Sequence, residues 1–101
     1  MNVKASNPVI RISTLSGADP MTFEVGVDEG GEVTRHRVTM ASATWRDLCG
    51  GTSTPEACIE AAFRFLLERE AKESILGSFD VTVISRYFPD FDRKFPEYLR
   101  R

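Results

Sequence analysis

Apolar and polar residues alternate along MTFEVGV, residues 21–27, which is the period of a half-buried strand. The following Gly30-Gly31 can supply the positive φ angles of a two-residue type I′ turn. Centring a hairpin there sets its register over 21–40. Met21 faces Met40, Phe23 faces Val38, Val25 faces His36 and Val27 faces Thr34. On the other face Thr22 meets Thr39, Glu24 meets Arg37, Gly26 meets Arg35 and Asp28 meets Val33. One face is apolar, and the other offers a Glu24–Arg37 cross-strand ion pair. The blemish is Glu29 and Glu32, which flank the turn with like charge. A longer loop relieves this but shifts the pairing. Upstream, PVIRIST (8–14) reads as a third strand, and LSGADP (15–20) as the loop that joins it to the hairpin.

The pattern then becomes helical. SATWRDLCGG (42–51) reads as a short helix with Ser42 as N-cap, Trp45, Leu48 and Cys49 on one face, and Gly50 as the stop. TSTPEACIEAAFRFLLEREAKESIL follows as a long helix. It opens on Thr54 before Pro55, with Ser53 and Glu56 as a rival capping frame. Glu60, Arg64, Glu68 and Lys72 form a solvent stripe of alternating sign at four-residue steps. Opposite lie Ile59, Ala62, Phe63, Leu66 and Leu67 with Cys58 beside them, a face broad enough to cover a sheet. Phe65 falls on the flank, placed to meet a second element or a second subunit. Gly77 ends or kinks the helix.

Residues 79–89 are ambiguous. Thr82, Val83 and Ile84 favour a strand by type, whereas Val81, Ile84, Tyr87 and Phe88 keep helical spacing after Asp80 as N-cap. The reading adopted is helix, stopped by Pro89. Phe91, Phe95, Tyr98 and Leu99 are again at helical spacing. Pro96, tolerated only in a first turn, starts the last helix near Phe95 or divides it into two short turns. The expected fold is one α+β domain over 1–101. A three-stranded antiparallel β-meander packs against a long α-helix, with a short helix before it and a helical C-terminal cap.

Composition adds little to this picture but excludes some functions. A net charge of −2 argues against a dedicated nucleic-acid binder, although a local basic patch remains open. No window has the apolar length of a membrane span and the N-terminus lacks a signal-type apolar run, so the expected location is the cytoplasm. Cys49 and Cys58 are then reduced thiols, at a spacing that matches no common metal or redox motif. There is no phosphate-loop or dinucleotide fingerprint, and no cofactor is expected.

His36 is the single histidine. It reads first as a hydrogen-bonded side chain at the core edge, and alternatively as a proton carrier needing a carboxylate or cysteine beside it. Gly51, Thr52 and Ser53, before the long helix, are a candidate anion site. Arg35 and Arg37, with Arg11 on the neighbouring strand, are the best basic patch. The EREAKE carboxylates read as a solvated face. In RYFPDFDRKFPEYLRR (86–101) the five basic residues are largely balanced by Asp90, Asp92 and Glu97, which weakens a nucleic-acid reading. The aromatics close the core, and Phe88, Phe91, Phe95 and Tyr98 with Phe65 form a candidate interface for a second copy or another protein.

FRFLLEREAKESILGSFDVTVISRYFP, residues 63–89, resembles a stretch found in short uncharacterised bacterial proteins, and that resemblance implies no site residues. The order of three strands before a helix opening TPEACIEAA, over residues 8–67, resembles HicB-type antitoxins. That resemblance implies a toxin or RNA-processing partner and a DNA-binding appendage. The leading expectation is a non-enzymatic interaction protein that self-associates through its aromatic C-terminal segment. An RNA- or toxin-binding module of HicB-like type is the alternative, and a small enzyme using His36 is the second alternative.

Overall fold

The computed structural model describes residues 8–50 and 52–100. The chain runs β1 (Val9–Ser16), β2 (Met21–Glu29), β3 (Glu32–Met40), α1 (Ser42–Cys49), α2 (Pro55–Leu67), a 3₁₀ turn (Lys72–Ser74), β4 (Ser78–Asp80), α3 (Val83–Tyr87) and α4 (Phe91–Leu99). It is an α+β fold whose sheet is ordered β1-β2-β3-β4. The meander is antiparallel, and β4 adds a parallel strand beside β3.

The hairpin forms in the register that its hydrophobic pattern dictates, from Met21↔Met40 through Val25↔His36 to Glu29↔Glu32. Gly30 and Gly31 have φ of 66° and 90°, the left-handed values that a two-residue turn requires. The turn is closed by the Gly31 N–H, which donates to Asp28 Oδ1 at 3.2 Å. Glu24 and Arg37 stand opposite each other but do not close into an ion pair. The like-charged Glu29 and Glu32 keep their places because Lys72 comes to them, with its Nζ 3.8 Å from Glu32.

Lys72 is where the long-helix expectation fails. Helix α2 ends at Leu67 instead of continuing toward Gly77, and the Arg69 and Glu70 amides both donate to the Leu66 carbonyl at 2.9 Å. The EREAKES run has good helix formers, so propensity alone does not stop the helix. Tertiary packing does. Ile75 is buried, and the Arg37 amide donates to the Gly77 carbonyl at 2.8 Å, so the chain must turn back to the sheet before residue 75. Of the expected solvent stripe, Glu60 and Arg64 form a helical pair at 2.5 Å, while Lys72 lies beyond the end of the helix.

Residues 78–88 are both strand and helix. Phe79 lies opposite Val38 in β4, and five residues of α3 follow. Asp80 joins the two. Its carboxylate accepts from the Thr39 hydroxyl at 2.5 Å and from the Thr82 hydroxyl and amide at 2.7 and 3.1 Å. At α1, Ser42 is the first helical residue, not the cap, and its amide donates to Asp19 Oδ1 at 3.0 Å. Thr54 wins the cap of α2 by accepting from the Ala57 amide, which frees Glu56 to accept from the Thr14 hydroxyl of β1.

Helix α4 runs through Pro96 without dividing there. An interior proline costs about 3 kcal/mol. Phe95 and Tyr98 on either side are buried, and each large apolar side chain returns about 1.5–3 kcal/mol, enough together to offset it. Helix α2 is buried on nearly every side, by the sheet through Ile59 and Phe63 and by α4 through Phe65. The helical cap is therefore a third layer.

Candidate functional site

Two aromatic clusters share Phe88, and only one is closed. In the first, the Phe65 ring meets Phe91, Tyr98 and Phe88 edge-on, with centroids at 4.9, 5.5 and 5.8 Å. Phe91 and Phe95 follow at 5.2 Å. Arg69 roofs it, with its guanidinium carbon 3.6 Å above the centre of the Phe65 ring and Nη1 donating to Tyr98 Oη at 3.1 Å. Tyr98 in turn donates to Glu68 Oε1 at 2.6 Å. Phe65, Phe91, Phe95 and Tyr98 are thus consumed inside the monomer, at most 3% exposed, and present no interface of their own. Phe88 is half-buried, and Tyr87 is 68% exposed.

The second cluster is a groove of about 230 Å³ between the segment that leads into β4 and helix α3. Buried Leu66, Ile75 and Ile84 and half-buried Phe79, Val83 and Phe88 line it, and exposed Leu76 and Tyr87 stand at its rim. Glu70 and Ser74 supply its polar border. The break of α2 at Leu67 creates this groove. The spacing of Ile84, Tyr87 and Phe88 was visible in the sequence; the contribution of Leu76 was not.

His36 holds the wall in place. Its ring is buried against Phe63 at 5.5 Å, and Nδ1 lies 2.8 Å from the Leu76 carbonyl. A carbonyl only accepts, so Nδ1 carries hydrogen. In the neutral ring Nε2 then accepts from the Thr34 hydroxyl at 2.8 Å. Both ring nitrogens are used for structure, and neither meets the carboxylate or thiol that the enzymatic reading requires.

Lys72 is 3% exposed and pairs with Glu73 and Glu32. The hydrogen bond to Glu73 raises its pKa above the ordinary lysine value, with further help from Glu32 and Glu29, and Lys72 lowers Glu73 in return. Burial pushes Asp80 up, but the hydrogen bonds from Thr39 and Thr82 outweigh it and hold the carboxyl below its usual value. Burial pushes the thiols of Cys49 and Cys58 up, Cys58 by far the more. Such thiols are poor nucleophiles.

Of the candidate anion site, Gly51 lies outside the described residues. The Thr52 amide and hydroxyl both donate to the Cys49 carbonyl, at 3.1 and 2.8 Å, and the Ser53 carbonyl accepts from the Trp45 indole at 2.9 Å. Both Thr52 donors are therefore already engaged within the chain.

Arg11, Arg35 and Arg37 do share the open face of the sheet, with Arg11↔Gly26↔Arg35 in one row. Glu24, Asp28 and Asp80 stand on the same face, and the shallow depression over Gly26, about 210 Å³, is bordered by both signs of charge. This is a charge-balanced surface, not a basic one. A further cleft of about 490 Å³ lies between α1, α3 and α4, edged by Asp47, Thr82, Ser85 and Asp92. Ser85 donates to Asp92 there at 3.1 Å. Among the described residues no group of three His, Cys, Asp or Glu side chains is placed to hold a metal, and no helix is long and apolar enough to cross a membrane. Comparison with known proteins finds no family model, curated protein or solved structure that matches this chain.

Proposed function

We propose that this chain is a non-enzymatic interaction protein of the cytoplasm whose partner-binding surface is the groove bounded by Leu76, Tyr87 and Phe88. One observation carries the reading: a contiguous apolar groove stays open, with Leu76 and Tyr87 48% and 68% exposed at its rim. The larger cleft mixes Leu48, Val81, Phe91 and Pro96 with two carboxylates and three hydroxyls, whereas the groove is lined by apolar side chains but for Glu70 and Ser74. Exposed apolar surface is the part that gains from a partner. Its volume lies below the ~300–1,000 Å³ of small-molecule and cofactor sites. It has room for one or two large side chains, the size of an anchor residue on a protein partner.

The test is selection of peptides from a random display library on the immobilised chain. Enriched peptides should carry a bulky apolar anchor, and Leu76→Glu or Tyr87→Ala should weaken them at least about tenfold. No enrichment, or binding indifferent to Leu76→Glu, removes the proposal. The second reading is the HicB-like one, an RNA or toxin partner on the sheet. It rests on Arg11, Arg35 and Arg37 sharing the open face, where Glu24, Asp28 and Asp80 offset their charge. Its signature is salt-sensitive RNA binding that Arg35→Ala weakens and Leu76→Glu does not.

A further inference from the structure

The two edges of the sheet are treated differently. Strand β4 is three residues long and leads directly into α3, so it offers almost no ladder to another chain. Strand β1 is eight residues long, and among the described residues nothing pairs with its outer edge. Edge strands are usually blunted by lysine, by proline, by bulges or by short length. Between Val9 and Thr14 strand β1 has none of these and only one charge, Arg11, which lies on the open face of the sheet; its bulge comes only between Thr14 and Ser16. Core coverage also thins at this edge. Val25 and Val27 are fully buried, while their β1 neighbours Ile12 and Ile10 on the same face are only half-buried.

We infer that β1 pairs antiparallel with β1 of a second copy of this chain about a two-fold axis at Ile12, making one continuous sheet. The self-complementarity of the strand selects this register. Centred on Ile12, the pairing sets Ile12 against Ile12, Arg11 against Ser13 and Ile10 against Thr14, all short of the bulge. Both inner faces stay on one side, so the two half-buried isoleucines of each copy gain cover. Centred on Arg11, it opposes two arginines. Centred on Ser13, it runs into the bulge. Among the described residues Arg11 makes no ion pair and faces only Gly26 in its own sheet, so it is available to a neighbour. A net charge of −2 per chain gives little long-range repulsion. This pairing is independent of the groove at α3.

Sedimentation equilibrium of the full chain tests it, with two substitutions at Ser13 of opposite sign. Within one copy Ser13 lies opposite Glu24, so Ser13→Arg supports the monomer while placing arginine opposite Arg11 of the second copy, twice by symmetry. It should weaken the dimer about threefold to tenfold. Ser13→Glu sets like charges together in the monomer but opposite charges across the pair. It should tighten the dimer by a similar factor, less so in high salt. A chain that stays monomeric up to about 1 mM overturns the inference. So does a dimer that Ser13→Arg and Ser13→Glu leave unchanged or shift in the same direction. A dimer lost in Leu76→Glu but indifferent at Ser13 places self-association in the groove instead. Peptide capture at the groove without dimerisation overturns this inference and leaves the proposed function standing.

Discussion

The closed cluster around Phe65 and the open groove around Tyr87 are built from the same residue types and share Phe88, yet they have opposite fates. Around Phe65 the chain returns as α4, and Arg69, Tyr98 and Glu68 lay a hydrogen-bonded roof over the rings. Beside Tyr87 no element returns among the described residues, and Glu70 and Ser74 only border the opening. An aromatic residue serves the core or a partner according to what covers it, not according to its own chemistry.

The largest expected effect breaks the closed side. Phe65→Ala should cost about 3–5 kcal/mol in a urea titration, a large part of the ~5–15 kcal/mol that stabilises a typical domain. Tyr87→Ala should stay within about 0.5 kcal/mol on the same measurement while removing peptide capture. Similar losses at both positions would erase the distinction between the two clusters. Next comes the roof. Arg69→Lys keeps the charge but not the plane that stacks on Phe65, and should lose about 1 kcal/mol by thermal melting.

Two pH effects sharpen the frame around the groove. Asp80 has its folded pKa depressed, so the stability it contributes is present above the unfolded aspartate value of ~3.9 and lost as pH falls through the lower folded value. Acid unfolding of Asp80→Asn should lack that part of the slope. Lys72 has its folded pKa raised. Its contribution is full below the unfolded lysine value of ~10.4 and lost as pH climbs through the higher folded one. Lys72→Met should flatten that alkaline loss and leave Glu29 and Glu32 repelling at the hairpin tip. The smallest effect is on reactivity. Cys58, buried with its pKa raised, should resist alkylation at pH 8 in the native chain and react fully in urea.

The hairpin was legible because its information is local. Alternation assigns the faces, a glycine pair supplies the turn, and a one-residue slip would bury Glu24 and Arg37. The cap of α2 at Thr54 and the stop of α1 at Gly50 follow from equally local rules. The candidate sites were less legible. Arg11, Arg35 and Arg37 share one face with Glu24 and Asp28, as the hairpin register already implied, but the third acid became apparent only when β4 brought Asp80 beside Thr39. Thr52 looked free as an anion donor until its partner, the Cys49 carbonyl, came into view.

What the sequence determined by itself is the hairpin register, the start of α2 at Thr54-Pro55 and the α+β class, since each rests on contacts within a few residues or across one turn. Only the tertiary structure decided where α2 stops, that Lys72 leaves a solvent stripe to neutralise the hairpin tip, and that Phe65 faces inward while Tyr87 does not. Helix propensity around residues 68–76 is worth tenths of a kcal/mol per residue. Burying Ile75 and pairing β4 with β3 is worth several kcal/mol, and those contacts join residues about forty apart. The long-range gain is the larger one, so the local pattern yields there.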